Sequence, residues 1–125
     1  MERKIVDSND FVGTWTLVGL SLADREGTVR ERYGDGTTGR IIYAADSNMG
    51  MMTRHGDGTT LVYFGRYEIG EDNVIHHIEM STNADIVGTA QRRQVTFRDG
   101  RLVLTASPSI TGGPGSSAEL TWQRA

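Results

Sequence analysis

Short runs of alternating apolar and polar residues, separated by glycine-rich stretches, fill most of the 125-residue chain. Val, Ile, Leu and aromatic residues alternate with polar ones there, which is the period of a half-buried β-strand. No window has the period of a long helix. The pattern predicts strands at about 12–22, 28–33, 39–45, 48–54, 60–69, 74–81, 88–98, 101–107 and 118–124. This spacing is typical of an all-β meander, barrel or sandwich.

Glycine and Asp-Gly pairs mark the turns between these strands. The chain has 16 glycines, and Asp-Gly occurs at 35–36, 57–58 and 99–100, which favours antiparallel hairpins. In an up-and-down order the longer connections would all lie at one end and the tight turns at the other. The glycine- and serine-rich segment 107–117 could cover a cavity mouth there, or be an exposed loop without a role.

Two hairpins predict which side chains face inward, because strand side chains alternate and residues paired across a tight turn share a face. With the turn at 70–73, the first inward face comprises Tyr63, Gly65, Tyr67, Ile69, Val74, His76, Ile78 and Met80. With the turn at 99–100, the second comprises Gln91, Arg93, Val95, Phe97, Leu102, Leu104 and Ala106. Both faces are apolar near the turn and polar away from it.

This gradient favours a barrel with one plugged end and a wetter cavity. A fully packed sandwich has little reason to carry His76, Gln91 and Arg93 on its inner face. A register slip of one residue is the alternative, and it would place all three side chains in solvent.

The adjacent histidines His76 and His77 cannot both reach one ligand from a regular strand, since neighbouring side chains point to opposite faces. The register places His76 inside, and His77 outside together with Glu79, although a β-bulge could reverse this. A zinc site would also need His55, and the spacing of the three histidines matches no zinc pattern.

Two glycine-rich stretches match the sequence patterns of functional motifs but lack the structural context that those motifs need. GDGTTG, residues 34–39, leads into a strand instead of a helix N-terminus, so it lacks the amide cradle that binds a pyrophosphate. HGDG, residues 55–58, has no G-x-S-x-G nucleophile elbow to accompany it, which disfavours a serine hydrolase.

The candidate chemistry therefore rests on an imidazole, a phenol and a guanidinium. His76, Tyr67 and Arg93 could together hold an enol or a carboxylate and move a proton, or they could only orient a bound ligand. Glu68 and Glu79 are predicted to be outside and solvated.

Composition excludes several other classes. The formal charge of −3 gives no surface for a phosphate backbone, so nucleic acid is not an expected partner. Without cysteine there is no disulfide or thiolate chemistry. We expect no metal and no cofactor. The start of the chain has no apolar signal region and no stretch suits a membrane helix, so we expect a cytoplasmic protein with no membrane partner.

The order of several short segments resembles a known family. These segments are GTWTLVG at 13–19, GRIIY at 39–43, YFGRYEI at 63–69, VIHHIEMS at 74–81, GTAQRRQV at 88–95, RLVLTAS at 101–107 and LTWQR at 120–124. Together they resemble the bacterial lipocalin-like domain family of small calycin-type β-barrels. The resemblance implies one lipocalin-like domain over residues 1–125, an antiparallel up-and-down barrel of about 8–10 strands with a short N-terminal cap.

The resemblance also implies a structure at one barrel end. Gly13-Thr14-Trp15 matches the G-x-W signature of the first strand, with Trp15 inside, and Arg124 of the last strand matches the basic residue that stacks on it. A nine-strand count would place these two residues at opposite ends, whereas an even count would bring them together.

For function, the resemblance implies a hydrophobic small-molecule ligand. Some similar barrels are cyclases or isomerases in natural-product pathways, and we expect this chain to rearrange or cyclise its ligand. The alternatives are an intracellular protein that binds and sequesters a small molecule without turnover, or an interaction module with a collapsed cavity. Besides the three catalytic candidates, the expected ligand-binding residues are Trp15, Tyr43, Met51, Tyr63, His77, Met80, Gln91, Leu104 and Trp122. Outward Val62 and Ile75 could form the seam of a homodimer.

Overall fold

The computed structural model describes residues 8–23, 29–31, 36–106 and 117–125. One short helix, α1 (Ser8–Phe11), precedes the strands, and a single 3-10 turn spans Ala84–Ile86. The strands are β1 (Gly13–Ala23), β2 (Val29–Glu31), β3 (Thr38–Tyr43), β4 (Asn48–Arg54), β5 (Thr60–Ile69), β6 (Asn73–Ser81), β7 (Ala90–Arg98), β8 (Arg101–Ala106) and β9 (Ser117–Arg124). Each begins and ends close to the predicted bounds.

These strands form a closed antiparallel up-and-down barrel. From β3 to β9 each strand pairs with the next along the chain, and β1 pairs with both β3 and β9 to close the ring. Eight strands make this ring, while β2 pairs only with the end of β1 at Ser21–Ala23. The predicted all-β barrel is therefore confirmed. Part of the predicted strand 28–33 lies outside the described residues.

The even number of strands in the ring brings the two chain ends together. Trp15 and Arg124 are direct Cα partners between β1 and β9. The Arg124 guanidinium lies 4.3 Å from the centroid of the Trp15 ring, which is cation–π stacking distance. The stack implied by the family resemblance is confirmed. The nine-strand count was misleading because β2 is too short to form a strand of the ring.

Helix α1 and the last strand close this end of the barrel. Trp15 Nε1 donates to the Phe11 carbonyl at 2.8 Å, and Phe11 is completely buried. Arg124 donates to the carbonyls of Val12 and Asp10 at 2.8 and 2.9 Å. These bonds fix the short N-terminal cap over the barrel end.

The tight turns lie at the same closed end. In the Asp99-Gly100 turn both residues adopt positive φ, 54° and 77°, which suits a two-residue hairpin loop. The connections after β4 and β6 lie at the opposite end, as predicted. Most of the predicted loop at 107–117, namely 107–116, lies outside the described residues.

A β-bulge interrupts the pairing of β5 with β6. Phe64 pairs with Met80 and Gly65 pairs with Ile78, so Glu79 is the extra residue on β6. Because the bulge reverses the alternation beyond Ile78, Met80 turns outward with 66% of its surface exposed. The inward orientation predicted for Met80 is wrong for this reason.

The outer surface of β3–β6 carries exposed apolar side chains on neighbouring strands: Ile42, Met52, Phe64 and Met80. Val62, which was predicted to face outward, borders the same outer groove. The homodimer stays a prediction. No helix within the described ranges is long and apolar enough to cross a lipid bilayer.

Candidate functional site

A cavity of about 100 Å³ lies inside the barrel, between the aromatic core of the closed end and the long connections. Most of its lining is apolar, comprising Leu20, Leu22, Ile41, Met51, Leu61, Leu104, Ala106, Ala118, Leu120 and Trp122. Its polar lining residues are Thr53, His55, Tyr63, His76 and Arg93. The cavity is thus an apolar space with a few polar groups directed into it, which is the usual composition of a small-molecule site.

His76 lies at the base of this cavity between two phenols. Its side chain is 1% exposed, Nε2 lies 2.7 Å from the Tyr43 hydroxyl, and Nδ1 lies 2.8 Å from the Tyr63 hydroxyl. The three residues come from β3, β5 and β6, so only the closed barrel brings them together. Both ring nitrogens of the buried imidazole are therefore satisfied.

The hydrogen-bond partners determine which nitrogen carries the proton. Tyr43 is completely buried, and in the described part of the chain its hydroxyl bonds only His76. A buried hydroxyl must donate its proton, so Tyr43 donates to Nε2 and the proton of the neutral ring is on Nδ1. Nδ1–H then donates to the Tyr63 oxygen. The O–H of Tyr63 is left free to donate into the cavity that this residue lines.

Burial keeps this group uncharged. The pKa of His76 is lowered to about 3, mainly by burial and in smaller part by the nearby positive charge of Arg93. Burial also raises the pKa of Tyr43 well above its usual range. The pKa of Tyr63 is raised by burial too, while the positive charge of Arg93 and a hydrogen bond from it oppose that rise. At neutral pH the site is thus a neutral imidazole between two protonated phenols.

Two buried nitrogen atoms at the cavity have no partner. Neither Trp122 Nε1 nor His55 Nδ1 forms a hydrogen bond within the described structure. Trp122 is 1% exposed, and an indole N–H can only donate. Buried polar groups are nearly always hydrogen-bonded, so this indole N–H requires an acceptor that the described residues do not supply.

Six of the twelve predicted site residues line the cavity: Met51, Tyr63, His76, Arg93, Leu104 and Trp122. His76 is buried and faces inward, as its predicted register requires. The roles of His76 in binding and catalysis stay predictions. Arg93 is 7% exposed and comes from β7, which is paired with the strand that carries His76.

Three other predicted residues are buried but do not line the cavity. The Tyr67 hydroxyl donates to the Ala44 carbonyl at 2.7 Å, beside the β3–β4 turn at the closed end. Trp15 belongs to the closed end as well, and Tyr43 lies behind His76. Tyr67 is the Cα partner of His76 across β5 and β6, but its hydroxyl bonds Ala44 instead of the imidazole. The phenol that bonds His76 is that of Tyr63, four residues nearer the open end on β5. A catalytic role for Tyr67 stays a prediction.

His77 and Gln91 also lie outside the cavity lining. His77 faces outward and pairs with Glu68, with 42% of its side chain exposed. The half-buried Gln91 donates to the Thr89 hydroxyl at 2.8 Å. Met80, His77 and Gln91 are thus the predicted ligand-binding residues that neither line the cavity nor belong to the buried core, and the binding set itself stays a prediction.

Other lining residues, many of them near the long connections, were not among the predicted site residues: Leu20, Leu22, Ile41, Thr53, His55, Leu61, Ala106, Ala118 and Leu120. Of these, Ala106 was predicted to face inward. Alternation along β1, β4 and β9 could have indicated several of them. His55 was considered only as a zinc ligand. Within the described residues, no three His, Asp or Glu side chains cluster closely enough to hold a metal ion.

The fold is similar to that of a solved protein. The crystal structure of a lipocalin-like protein from Bacteroides uniformis ATCC 8492 superposes with a TM-score of 0.56. The sequences are 14% identical, and the match covers 93% of this chain and 99% of the other. At this identity the similarity shows a shared fold. No curated protein matches the chain with comparable significance.

The second half of the sequence identifies the family. Residues 58–125, which contain β5 to β9 and thus Tyr63, His76, Arg93 and Trp122, match the family model of the lipocalin-like domain. The match covers more than half of the chain, and the closed barrel with its Trp15–Arg124 stack agrees with it. The chain belongs to the lipocalin-like domain family.

Proposed function

We propose that the barrel cavity binds a small hydrophobic molecule. The observation that supports this most is the cavity itself, about 100 Å³ of mainly apolar space with unpaired hydrogen-bonding groups in its wall. An apolar cavity of about 150 Å³ binds benzene, so the smaller space here suits one end of a small ligand.

The proposal is tested by filling the cavity. Ala106 and Ala118 are paired on β8 and β9, and both line it. Ala106→Phe places a ring in the space, so we expect the binding of acetophenone, measured by saturation-transfer NMR, to be lost. Ala118→Phe is a second variant at the same position of the wall, and melting curves establish that each variant folds.

Ala90→Phe is the matched control, because Ala90 is exposed at the start of β7 and its replacement leaves the cavity open. Wild type and Ala90→Phe should bind acetophenone equally. If both filled variants folded and still bound it as wild type does, the ligand would lie elsewhere and the proposal would be wrong.

A second candidate function is that the chain rearranges or cyclises its ligand. The observation that favours it is the chain of hydrogen bonds from Tyr43 through His76 to Tyr63, which directs the Tyr63 O–H into the cavity. With Arg93 beside it, this donor would stabilise negative charge that develops on a substrate oxygen. In this account His76 positions Tyr63, since an imidazole with a pKa of about 3 is a weak base at neutral pH.

Turnover can be tested without the natural substrate. With buffer or deuteroxide as the base that removes a methyl proton, stabilisation of the enolate would speed deuterium incorporation into the methyl group of acetophenone in D₂O. Proton NMR follows this exchange. We expect Tyr63→Phe to slow this exchange by about 100-fold while acetophenone affinity changes little. If acetophenone bound but its methyl group exchanged no faster than in buffer alone, the chain would be a binding protein without this activity.

A further inference from the structure

The charge of Arg93 has no counter-ion in the described structure. Among the described residues that line the cavity there is no Asp or Glu, and Arg93 is the one Arg or Lys. The contacts of this guanidinium are the Arg92 carbonyl, at 3.1 Å, and Tyr63. At 7% exposure Arg93 has also lost most of its water. A buried charge of this kind is costly unless a charge of opposite sign accompanies it.

The groups beside Arg93 offer hydrogen-bond donors. Tyr63 has its O–H free for the cavity, because its oxygen already accepts from His76. Trp122 lines the same space, and its buried Nε1–H has no acceptor in the described structure. A cavity of about 100 Å³ is small enough for one bound molecule to reach all three groups. The unpaired donors and the guanidinium therefore suit a ligand oxygen that carries a negative charge.

We propose that the ligand of this cavity is an organic monoanion, an apolar body whose carboxylate or ionised enol oxygens are bound by Arg93, Tyr63 and Trp122. This rests on the proposed binding function and adds the charge of the ligand to it. A neutral carbonyl compound would satisfy Tyr63 or Trp122 but would leave Arg93 without a counter-ion. Guanidinium and oxyanion also form the stronger, charge-assisted hydrogen bonds.

Benzoate and benzamide test the proposal directly, because they have nearly the same shape and differ in charge. We expect benzoate to bind at least about ten times more tightly than benzamide in calorimetric titrations at pH 7, since hydrogen bonds to charged groups are the stronger class. Trp122→Phe, which removes the indole donor and keeps an aromatic ring, should weaken benzoate binding by about ten-fold for the loss of one such bond.

Arg93→Met is the decisive variant. It removes the charge and keeps a long apolar side chain, and it should fold, because deletion of an uncompensated buried charge relieves a cost. We expect the preference for benzoate over benzamide to disappear in Arg93→Met and to survive in Arg92→Met. Arg92 precedes it on β7 and is exposed, so this control removes the same charge from the outer surface. Arg93→Lys keeps the charge and should retain part of the preference, whether or not Arg93→Met folds.

The possible results separate the two proposals. If benzamide bound as tightly as benzoate, or if Arg93→Met kept the preference, the monoanion would be excluded while binding in the cavity stood. If neither compound nor acetophenone bound, the binding function would fail and the monoanion with it. If Arg92→Met abolished the preference as well, the charge sensed would be that of the whole surface, which also overturns the proposal.

Discussion

At the scale of single residues, the site depends on the state of one imidazole. His76 is enclosed by two phenols and lies near the Arg93 guanidinium, so a proton on its ring would meet a desolvated environment and a like charge. The neutral ring instead links the two hydroxyls, one as donor and one as acceptor. The polarity of the cavity thus follows from the neutrality of His76, because that neutrality leaves Tyr63 as a donor.

Acid should destabilise the fold through this residue. Its pKa is 6.5 when unfolded and about 3 when folded, so the unfolded chain takes up a proton as the pH falls from 6.5 towards 3 while the folded chain does not. Between pH 7 and 5 this should lower the free energy of unfolding by about 2 kcal/mol. Urea unfolding followed by fluorescence at the two pH values measures this loss.

His76→Gln isolates the contribution of the imidazole, since its amide can still donate and accept but does not titrate. Between pH 7 and 5 the free energy of unfolding of this variant should fall by about 2 kcal/mol less than that of wild type. The comparison cancels the contributions of all other titrating groups. An equal loss in both proteins would mean that the imidazole is protonated in the folded state.

At the scale of elements, the bulge between β5 and β6 decides which side chains face the cavity. A Cβ at Gly65 would lie 1.8 Å from the His77 carbonyl oxygen, so only glycine permits the two strands to approach there. Inward alternation is regular from Val74 to Ile78 and reverses beyond the bulge. The position of His76 inside therefore depends on pairing that starts at the tight turn and does not cross the bulge.

Gly65→Ala should destabilise the barrel by about 3 kcal/mol, because the methyl group has to displace backbone atoms. Gly19→Ala is the matched control in β1, where the new methyl would lie 3.5 Å from Thr121 at ordinary contact distance. Its effect should stay below about 1 kcal/mol. Chemical denaturation measures both, and similar effects in the two variants would contradict the role given to Gly65.

The strands and hairpins could be predicted from the sequence wherever the local pattern of apolar, polar and turn residues determines them. Alternation and the turns at 70–73 and 99–100 predicted the strand positions and most of the inward faces of both hairpins, including His76 and Arg93. Met80 was misplaced because a bulge leaves no reliable mark in an alternating pattern. Tyr43 could not be recognised as the partner of His76, since β3 and β6 are not neighbours and their residues meet only across the closed barrel.

At the scale of the whole molecule, closure of the ring is what encloses the cavity. The β1–β9 pairing joins the two ends of the meander, and Arg124 secures that junction by stacking on Trp15 and bonding two carbonyls before β1. The opposite end provides the cavity. The well-packed closed end therefore contributes stability, whereas the proposed binding site lies in the cavity towards the opposite end.

Arg124→Ala should lower the free energy of unfolding by about 2 kcal/mol, through loss of the stack and of two hydrogen bonds. Arg124→Lys should recover only part of this, because an ammonium group has no planar fork. Arg101→Ala, which removes an exposed arginine at the start of β8, is the control and should change stability by less than about 0.5 kcal/mol. Equal effects of Arg124→Ala and Arg101→Ala in thermal unfolding would show that the junction does not need the stack.

The central claim is that the hollow of the barrel receives a ligand beside Trp122, and the two tryptophans of the chain allow it to be measured directly. The Trp15 indole N–H donates to the Phe11 carbonyl at the closed end, whereas Trp122 lines the cavity and its N–H has no partner among the described residues. In a titration with acetophenone followed by ¹H–¹⁵N NMR, the Trp122 indole signal, assigned with Trp122→Phe, should shift with saturation while the Trp15 signal stays in place. A saturating shift confined to Trp15, or no shift of either signal up to the solubility limit, would contradict the account.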